Sequence, residues 1–313
     1  MEGWGISALL SSVAASTSSC VALFNVRMCC LDSFCYSQQE QRIAMTFLYS
    51  HPVSDEIRAR VLVELTSIEQ QHDVRVLFAC ESGSRGWGFA SPDSDYDVRF
   101  VYVHQPEWYL RVEPQRDVIE LPISDELDIS GWELRKALQL MHRSNPTLLE
   151  WLASPVVYRQ DAALAERMRT LAPTFFSERK GRWHYVSMAA KNFRGYLQGE
   201  TVRMKKYLYV LRPLLAAQWI DEGRGIPPMR FADLADAMVK DTALRDEINQ
   251  LLAIKMESGE AEYGARFPRI HAFIEKALAQ EDVPADFRQA TGNPTALDAF
   301  LYDTVLTRTP CTT

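Results

Sequence analysis

The sequence predicts an α+β protein, with a mixed strand-and-helix front half and an all-helical back half. Three observations carry this. Two apolar, β-branched runs, Val74–Cys80 and Asp97–Val103, read as strands behind an amphipathic helix. Beyond Asn145-Pro146 almost every segment repeats at helical spacing: 146–154, 160–170, 177–198, 201–221, 230–255 with a break, 266–279 and 294–307. Loop chemistry in the back half is concentrated in Gly223–Pro228 and Glu281–Asn293.

Each element has a local reason. Ser54 suits a helix N-cap, Asp55 and Glu56 complement the positive end of its dipole, and Ile57, Val61, Leu65 and Ile68 share one face. Leu127-Asp128-Ile129 reads as a third short strand, with Val118–Ile123 beside it. Ser130-Gly131-Trp132-Glu133 has the S-x-x-E form of a capping box, which predicts a helix starting at Ser130. Arg143-Ser144-Asn145-Pro146 suits either a hinge or a cap donated by Asn145. Pro213 is expected to kink or interrupt the helix over 201–221, because it lacks the N–H that continues the ladder.

Composition narrows the function classes. The 313 residues suggest about two domains. No run reaches the ~20 apolar residues of a spanning helix, so no membrane role is expected. A net charge of −7 argues against a non-specific DNA coat, which needs excess Lys and Arg. Six cysteines, four of them before residue 36 and none in CxxC spacing, predict a reducing, cytoplasmic setting. Residues 1–44 are Ser-rich and nearly uncharged. Gly5–Asn25 has the apolarity of a signal core without a basic flank, so 1–44 reads as a disordered extension and 309–313 as a tail. The structured parts are then 45–150 and 151–308.

The chemistry concentrates in residues 81–128. Gly83-Ser84 follows a strand, and such a turn frees backbone N–H groups to seat a phosphate, although Gly-Ser turns are common. Asp95 and Asp97 stand two apart at a strand, where alternation points both to one face and a cation relieves their repulsion. Ser-Pro-Asp-Ser-Asp is equally good sequence for a solvated turn. Asp128 between Leu127 and Ile129 suits a strand-edge or capping acid, or, if its strand adjoins, the third carboxylate of a two-metal site. Glu81 reads as a buried structural acid, Arg85 as a solvent-facing helix residue with a triphosphate contact the alternative, and Trp87 and Phe89 as packing under the loop rather than stacking a base. The six histidines have no zinc-site spacing.

A strand, Gly83-Ser84, Asp95-Tyr96-Asp97 on the next strand and Asp128 on a later one resemble the DNA polymerase beta nucleotidyltransferase superfamily. The wider wording, ESGSRGWGFASPDSDYDVRF, LDISGWELRKAL, SNPTLLEWL and KKYLYVLRPLLAAQW, is similar to predicted bacterial nucleotidyltransferases associated with RNA repair pathways, from about Phe47 to about Ala290. The resemblance implies a polymerase-beta-like nucleotidyltransferase core over 45–150 and a helical domain over 151–308. It implies transfer of a nucleoside monophosphate from a nucleoside triphosphate to a hydroxyl, with pyrophosphate released. Gly83 and Ser84 would hold the β- and γ-phosphates. Asp95, Asp97 and Asp128 would hold two Mg²⁺ ions, with Mn²⁺ an alternative. The acceptor is expected to be an RNA end. A small-molecule or protein nucleotidylating enzyme, and a non-catalytic nucleotide sensor or RNA-binding adaptor, remain alternatives.

Residues 177–212 carry nine Lys and Arg against two Glu, a local +7 that leaves −14 for the rest of the chain. Such blocks are often only solvated helix faces. Here Trp183, Tyr185, Phe193, Tyr196, Tyr207 and Tyr209 alternate with the charges, as in surfaces that stack bases. The expectation is that some of Lys191, Lys205, Lys206, Tyr209 and Arg212 line a cleft facing Asp95 and contact the nucleotide.

Overall fold

The first described helix, α1 (Asp55–His72), starts where Ser54 accepts a hydrogen bond from the Ile57 N–H at 3.2 Å. It stops at Asp73, which takes the left-handed conformation that breaks the ladder. The computed structural model describes residues 53–123, 126–257, 263–280 and 286–306. The expectations for 1–44 and 309–313 fall outside the described residues.

After α1 come β1 (Val74–Glu81), α2 (Gly83–Trp87), β2 (Tyr96–His104), α3 (Pro106–Tyr109), β3 (Val118–Glu120) and β4 (Leu127–Glu133). Then follow α4 (Leu134–His142), α5 (Pro146–Leu152), β5 (Val157–Gln160), α6 (Ala162–Phe175), α7 (Glu178–Tyr196) and β6 (Thr201–Arg203). The chain continues through α8 (Lys205–Asp221), α9 (Phe231–Met238), α10 (Thr242–Glu257), β7 (Tyr263–Ala265), α11 (Pro268–Ala279) and α12 (Pro294–Leu306). The main sheet has the order β3-β4-β2-β1-β5 and is mixed: β2 and β4 run parallel, and the other pairs are antiparallel. The fold class is therefore α+β.

Strand β1 lies inside the sheet, between β2 and β5, and is covered on both faces, which is why its sequence is a nearly unbroken apolar run. One face packs on Ile57, Val61, Leu65 and Ile68 of α1, together with Val98, Phe100 and Tyr102. On the other face Leu77, Phe78 and Cys80 join a larger cluster that continues into α4 and the helices from α5 to α12. A register shift between Val76 and Phe78 lets neighbouring residues of one strand serve the two clusters. The described residues form one compact unit. Among the described residues, no helix is long and apolar enough to cross a membrane.

The structure corrects four local expectations. Residues 157–160, at the edge of the expected 160–170 helix, form β5 and pair with β1, so the sheet extends past residue 150. Residues 201–203 are not the start of a helix but pair with β7. The capping box does not form. Pairing with β2 keeps Ser130 extended, and Glu133 itself caps α4 by accepting from the Arg135 and Lys136 N–H groups at 2.7 and 3.3 Å. Helix α8 continues through Pro213, which is buried between buried Arg212 and Leu214, so of the expected kink or interruption the interruption does not occur. Tertiary packing outweighs the single missing hydrogen bond. Asn145 is a cap, accepting from the Thr147 N–H at 2.9 Å and the Leu148 N–H at 3.3 Å.

Candidate active site

Pairing between β2 and β4 brings Asp97 and Asp128 together. The two are direct partners in the parallel register, so their side chains leave the sheet side by side. Both are half-buried. The Gly-Ser turn closes over them: the Ser82 N–H donates to the Asp97 carbonyl at 2.8 Å, and Gly83 follows with φ +55°. A Cβ on Gly83 would lie 1.8 Å from Asp97 Oδ2, so only glycine lets the backbone sit against that carboxylate. Gly88, at φ +94°, ends α2 by turning its N–H back to the Ser84 and Arg85 carbonyls. Ser84 is buried, and its carbonyl also accepts from the Phe89 N–H.

Glu81 sets the position of Asp97 from behind. Its Oε1 accepts from the Asp97 backbone N–H at 2.8 Å and its Oε2 from the Tyr158 hydroxyl at 2.5 Å. Complete burial lifts its carboxyl to about 7, although the two hydrogen bonds favour the ionised form. Glu81 is thus the structural acid that its place at the end of a strand predicts.

Asp95 is placed differently. Strand β2 begins at Tyr96, so strand alternation does not govern Asp95, and its side chain is exposed. The loop before it is clamped from two sides. Arg85 donates to the Ser94 carbonyl at 2.6 Å and the Asp95 carbonyl at 3.3 Å, and its guanidinium lies 3.8 Å from the Tyr96 ring centroid. This corrects the reading of Arg85 as a solvent-facing residue. From α10, buried Lys255 donates to the Ser91 hydroxyl and reaches the Ser94 hydroxyl at 3.5 Å. Sequence reasoning missed Lys255. The available signal was a lysine in register with Ile248, Leu251 and Leu252, where helical spacing places a core residue.

The charge on the two paired acids is met by Arg99. Its Nη2 donates to Asp97 Oδ1 at 2.8 Å and to Asp128 Oδ2 at 2.7 Å, while Nη1 reaches the Asp128 carbonyl at 2.8 Å. Among the described residues, no three acids, histidines or cysteines are grouped so as to hold a metal ion. Asp97 and Asp128 are therefore brought together, and Asp95 stands at the lip rather than in a three-carboxylate cluster. The donor chemistry still fits a hard divalent cation. Mg²⁺ takes one or two carboxylates and completes its shell with phosphate and water oxygens.

The basic belt divides. Arg212 is buried, donating to Glu150 Oε1 at 3.0 Å and to the Met229 carbonyl at 3.0 Å, with its guanidinium 4.8 Å from the Trp87 ring centroid. This corrects its place in a nucleotide cleft: it is an internal strut beneath α2. Arg182 is similarly buried, on Asp221 at 2.7 Å. Tyr209 meets Trp87 and Phe89 edge-on at 5.4 and 6.0 Å, and Lys206 lies 4.2 Å from the Tyr196 ring centroid and 4.8 Å from that of Tyr209. Lys206 and Tyr209 thus connect α7 to α2. Lys205 is half-buried at the start of α8, and Lys191 is exposed on α7. Trp87 and Phe89 pack as expected.

Residues 57–303 match the RlaP family, described as the RNA repair pathway DNA polymerase beta family. The chain belongs to this family. A relative, the uncharacterized protein YcgL of Bacillus subtilis (strain 168), is 46% identical over 254 residues, covering 80% of this chain and 96% of that one. A nucleotidyltransferase-like protein from Exiguobacterium sibiricum 255-15, known from a crystal structure, aligns over 78% of this chain and 76% of its own, with 12% identity and a TM-score of 0.27. Membership of the RlaP family supports a nucleotidyltransferase-type function.

Proposed function

We propose that this RlaP-family chain is a metal-dependent nucleotidyltransferase that moves a nucleoside monophosphate from a nucleoside triphosphate to the hydroxyl of an RNA end. The observation that carries this reading is the pairing of Asp97 with Asp128 in adjacent parallel strands, against the bare backbone of Gly83. In such a transfer the acceptor hydroxyl gives up its proton to solvent and its oxygen forms a bond to the α-phosphorus. The bond from that phosphorus to the bridging oxygen breaks, and pyrophosphate leaves with the electron pair. The protein contributes mainly position and charge.

Asp97 and Asp128 would hold the divalent cation, Mg²⁺ or Mn²⁺, with Asp95 joining from the lip. When bound, the cation supplies neutralisation of the phosphate oxygens and acidifies the attacking hydroxyl. The turn at Gly83-Ser84 offers backbone N–H groups to the β- and γ-phosphates. Glu81 and Tyr158 hold the Asp97 backbone so that its carboxylate does not drift. Arg85 and Lys255 keep the Asp95 loop in place. The spacing of the cysteines in the sequence supports a reducing, cytoplasmic setting for this chemistry.

The acceptor reading rests on α7. Lys180, Trp183, Lys191 and Arg194 recur on one face and are exposed, Trp183 at 64%, and no exposed acid interrupts them within the helix. A stripe of cations around an exposed indole suits a single strand, whose phosphates and base faces it matches together. Arg99, which occupies the two acids, is the observation that favours the rival reading of a nucleotide sensor without turnover.

Radiolabelled triphosphates offered with Mg²⁺ to an RNA pool, to small hydroxyl compounds and to protein acceptors test these readings. Asp97→Asn and Asp128→Asn should each abolish transfer while leaving the melting temperature close to wild type. Lys191→Glu with Arg194→Glu should weaken use of RNA alone. A folded Asp97→Asn/Asp128→Asn double variant that still transfers would end the proposal. Label on a protein or small molecule alone would reassign the acceptor, and triphosphate binding without any transfer would favour the sensor.

A further inference from the structure

Asp97 and Arg99 are two apart on β2, so strand alternation sends both to the same face, and Asp128 stands beside Asp97 in the parallel register. The partner of Arg99 across that register is Ser130, whose small side chain leaves room for the long arginine to bend back over the two acids. One nitrogen, Nη2, is shared by Asp97 Oδ1 and Asp128 Oδ2 at 2.8 and 2.7 Å. The other terminal nitrogen takes the Asp128 and Val98 carbonyls at 2.8 and 3.1 Å. The arginine side chain is 16% exposed, more sheltered than either acid. Two carboxylates this close repel unless a cation lies between them, and here the cation comes from the strand itself.

We propose that Arg99 is the internal counter-ion of the nucleotide site, holding Asp97 and Asp128 together in the metal-free protein and exchanging places with a divalent cation that arrives on a triphosphate. This rests on the transferase reading above. The guanidinium already holds Asp97 Oδ1 and Asp128 Oδ2, and a divalent ion held by the same two acids would meet its positive charge, so the two compete. A cation entering alone strands the guanidinium without an anion. A cation entering with a triphosphate brings a new anionic partner for it, and every charge stays paired. Metal and triphosphate therefore bind with positive coupling, and Arg99 is the positioning residue that creates it.

Calorimetric titration with Mn²⁺ alone, and with Mn²⁺ plus a non-hydrolysable triphosphate, tests the exchange without measuring activity. Arg99→Gln should bind Mn²⁺ alone on the order of tenfold more tightly than wild type and the Mn²⁺–triphosphate pair less tightly. Its melting temperature should fall without metal and recover when Mn²⁺ is added. Opposite signs for metal and triphosphate are the signature, because a merely structural arginine would weaken both. Arg99→Lys, which keeps the charge but loses the fork, should fall between the two and serves if Arg99→Gln does not fold. Equal Mn²⁺ affinity in wild type and variants would overturn the exchange and leave the transferase reading standing. If wild type and both variants fail to bind Mn²⁺ with or without triphosphate, both readings fall together.

Discussion

Replacing Arg212 by methionine separates an internal strut from a nucleotide ligand. The arginine is 2% exposed. Its loss removes the cation from Glu150, which is 8% exposed, and the donor from the Met229 carbonyl. Breaking one side of a buried pair costs about 3–5 kcal/mol. Two features move Arg212→Met toward the lower figure. Glu150 keeps neutral donors in the Tyr185 hydroxyl at 2.8 Å and the Trp87 indole at 3.3 Å, and among the described residues the Arg212 Nη2 has no hydrogen-bond partner to lose. At about 2–4 °C per kcal/mol for a domain of this size, the melting temperature should fall by roughly 6–12 °C. Differential scanning calorimetry of Arg212→Met, Glu150→Gln and the double variant reads this. The double variant should lose less than the two singles together, because the second change removes a charge already left unpaired. An unchanged melting temperature with a raised triphosphate KM would refute the strut and return Arg212 to the nucleotide.

Gly83→Ala should lower transfer by about a hundredfold, because a methyl 1.8 Å from Asp97 Oδ2 displaces that carboxylate by roughly an ångström, and the φ of +55° adds about 1–2 kcal/mol of strain. Steady-state rates together with a melting curve check this, and full activity would contradict the close approach. For Glu133, burial raises the carboxyl above its usual value of 4.5, so the folded state holds the proton more tightly than the unfolded chain. The stability it contributes is complete below about pH 4.5 and is lost as pH rises through the raised value. Urea denaturation across that range should show Glu133→Gln gaining on wild type as pH rises, and parallel stability curves would contradict the assignment.

Much of the site was legible because its signals are local. The Gly-Ser turn after an apolar strand, the acid pair and the lone acid between Leu127 and Ile129 can all be read along the chain. Caps at Ser54 and Asn145 are equally local, since one side-chain oxygen serves N–H groups two or three residues away. The failures have a common cause. Ser130 matches a capping box, but pairing with β2 holds it extended. Residues 157–160 lack a strong strand pattern and become one because the edge of β1 is open to them. Arg212 looked like part of a basic belt because its partner, Glu150, is 62 residues away. Lys255 reaches Ser91 across 164 residues.

By itself the sequence determined the α+β class, the placement of most helices, and which acids and glycine make up the candidate site, because spacing and turn chemistry act over a few residues. Tertiary structure decided which charges meet. Parallel pairing of β2 with β4 joined Asp97 to Asp128 and set Arg99 between them, the start of β2 at Tyr96 left Asp95 at the lip, and packing beneath α2 took Arg212 out of solvent. Charge is felt across space rather than along the chain, so a basic residue becomes a ligand, a counter-ion or a strut only when the fold chooses its neighbour.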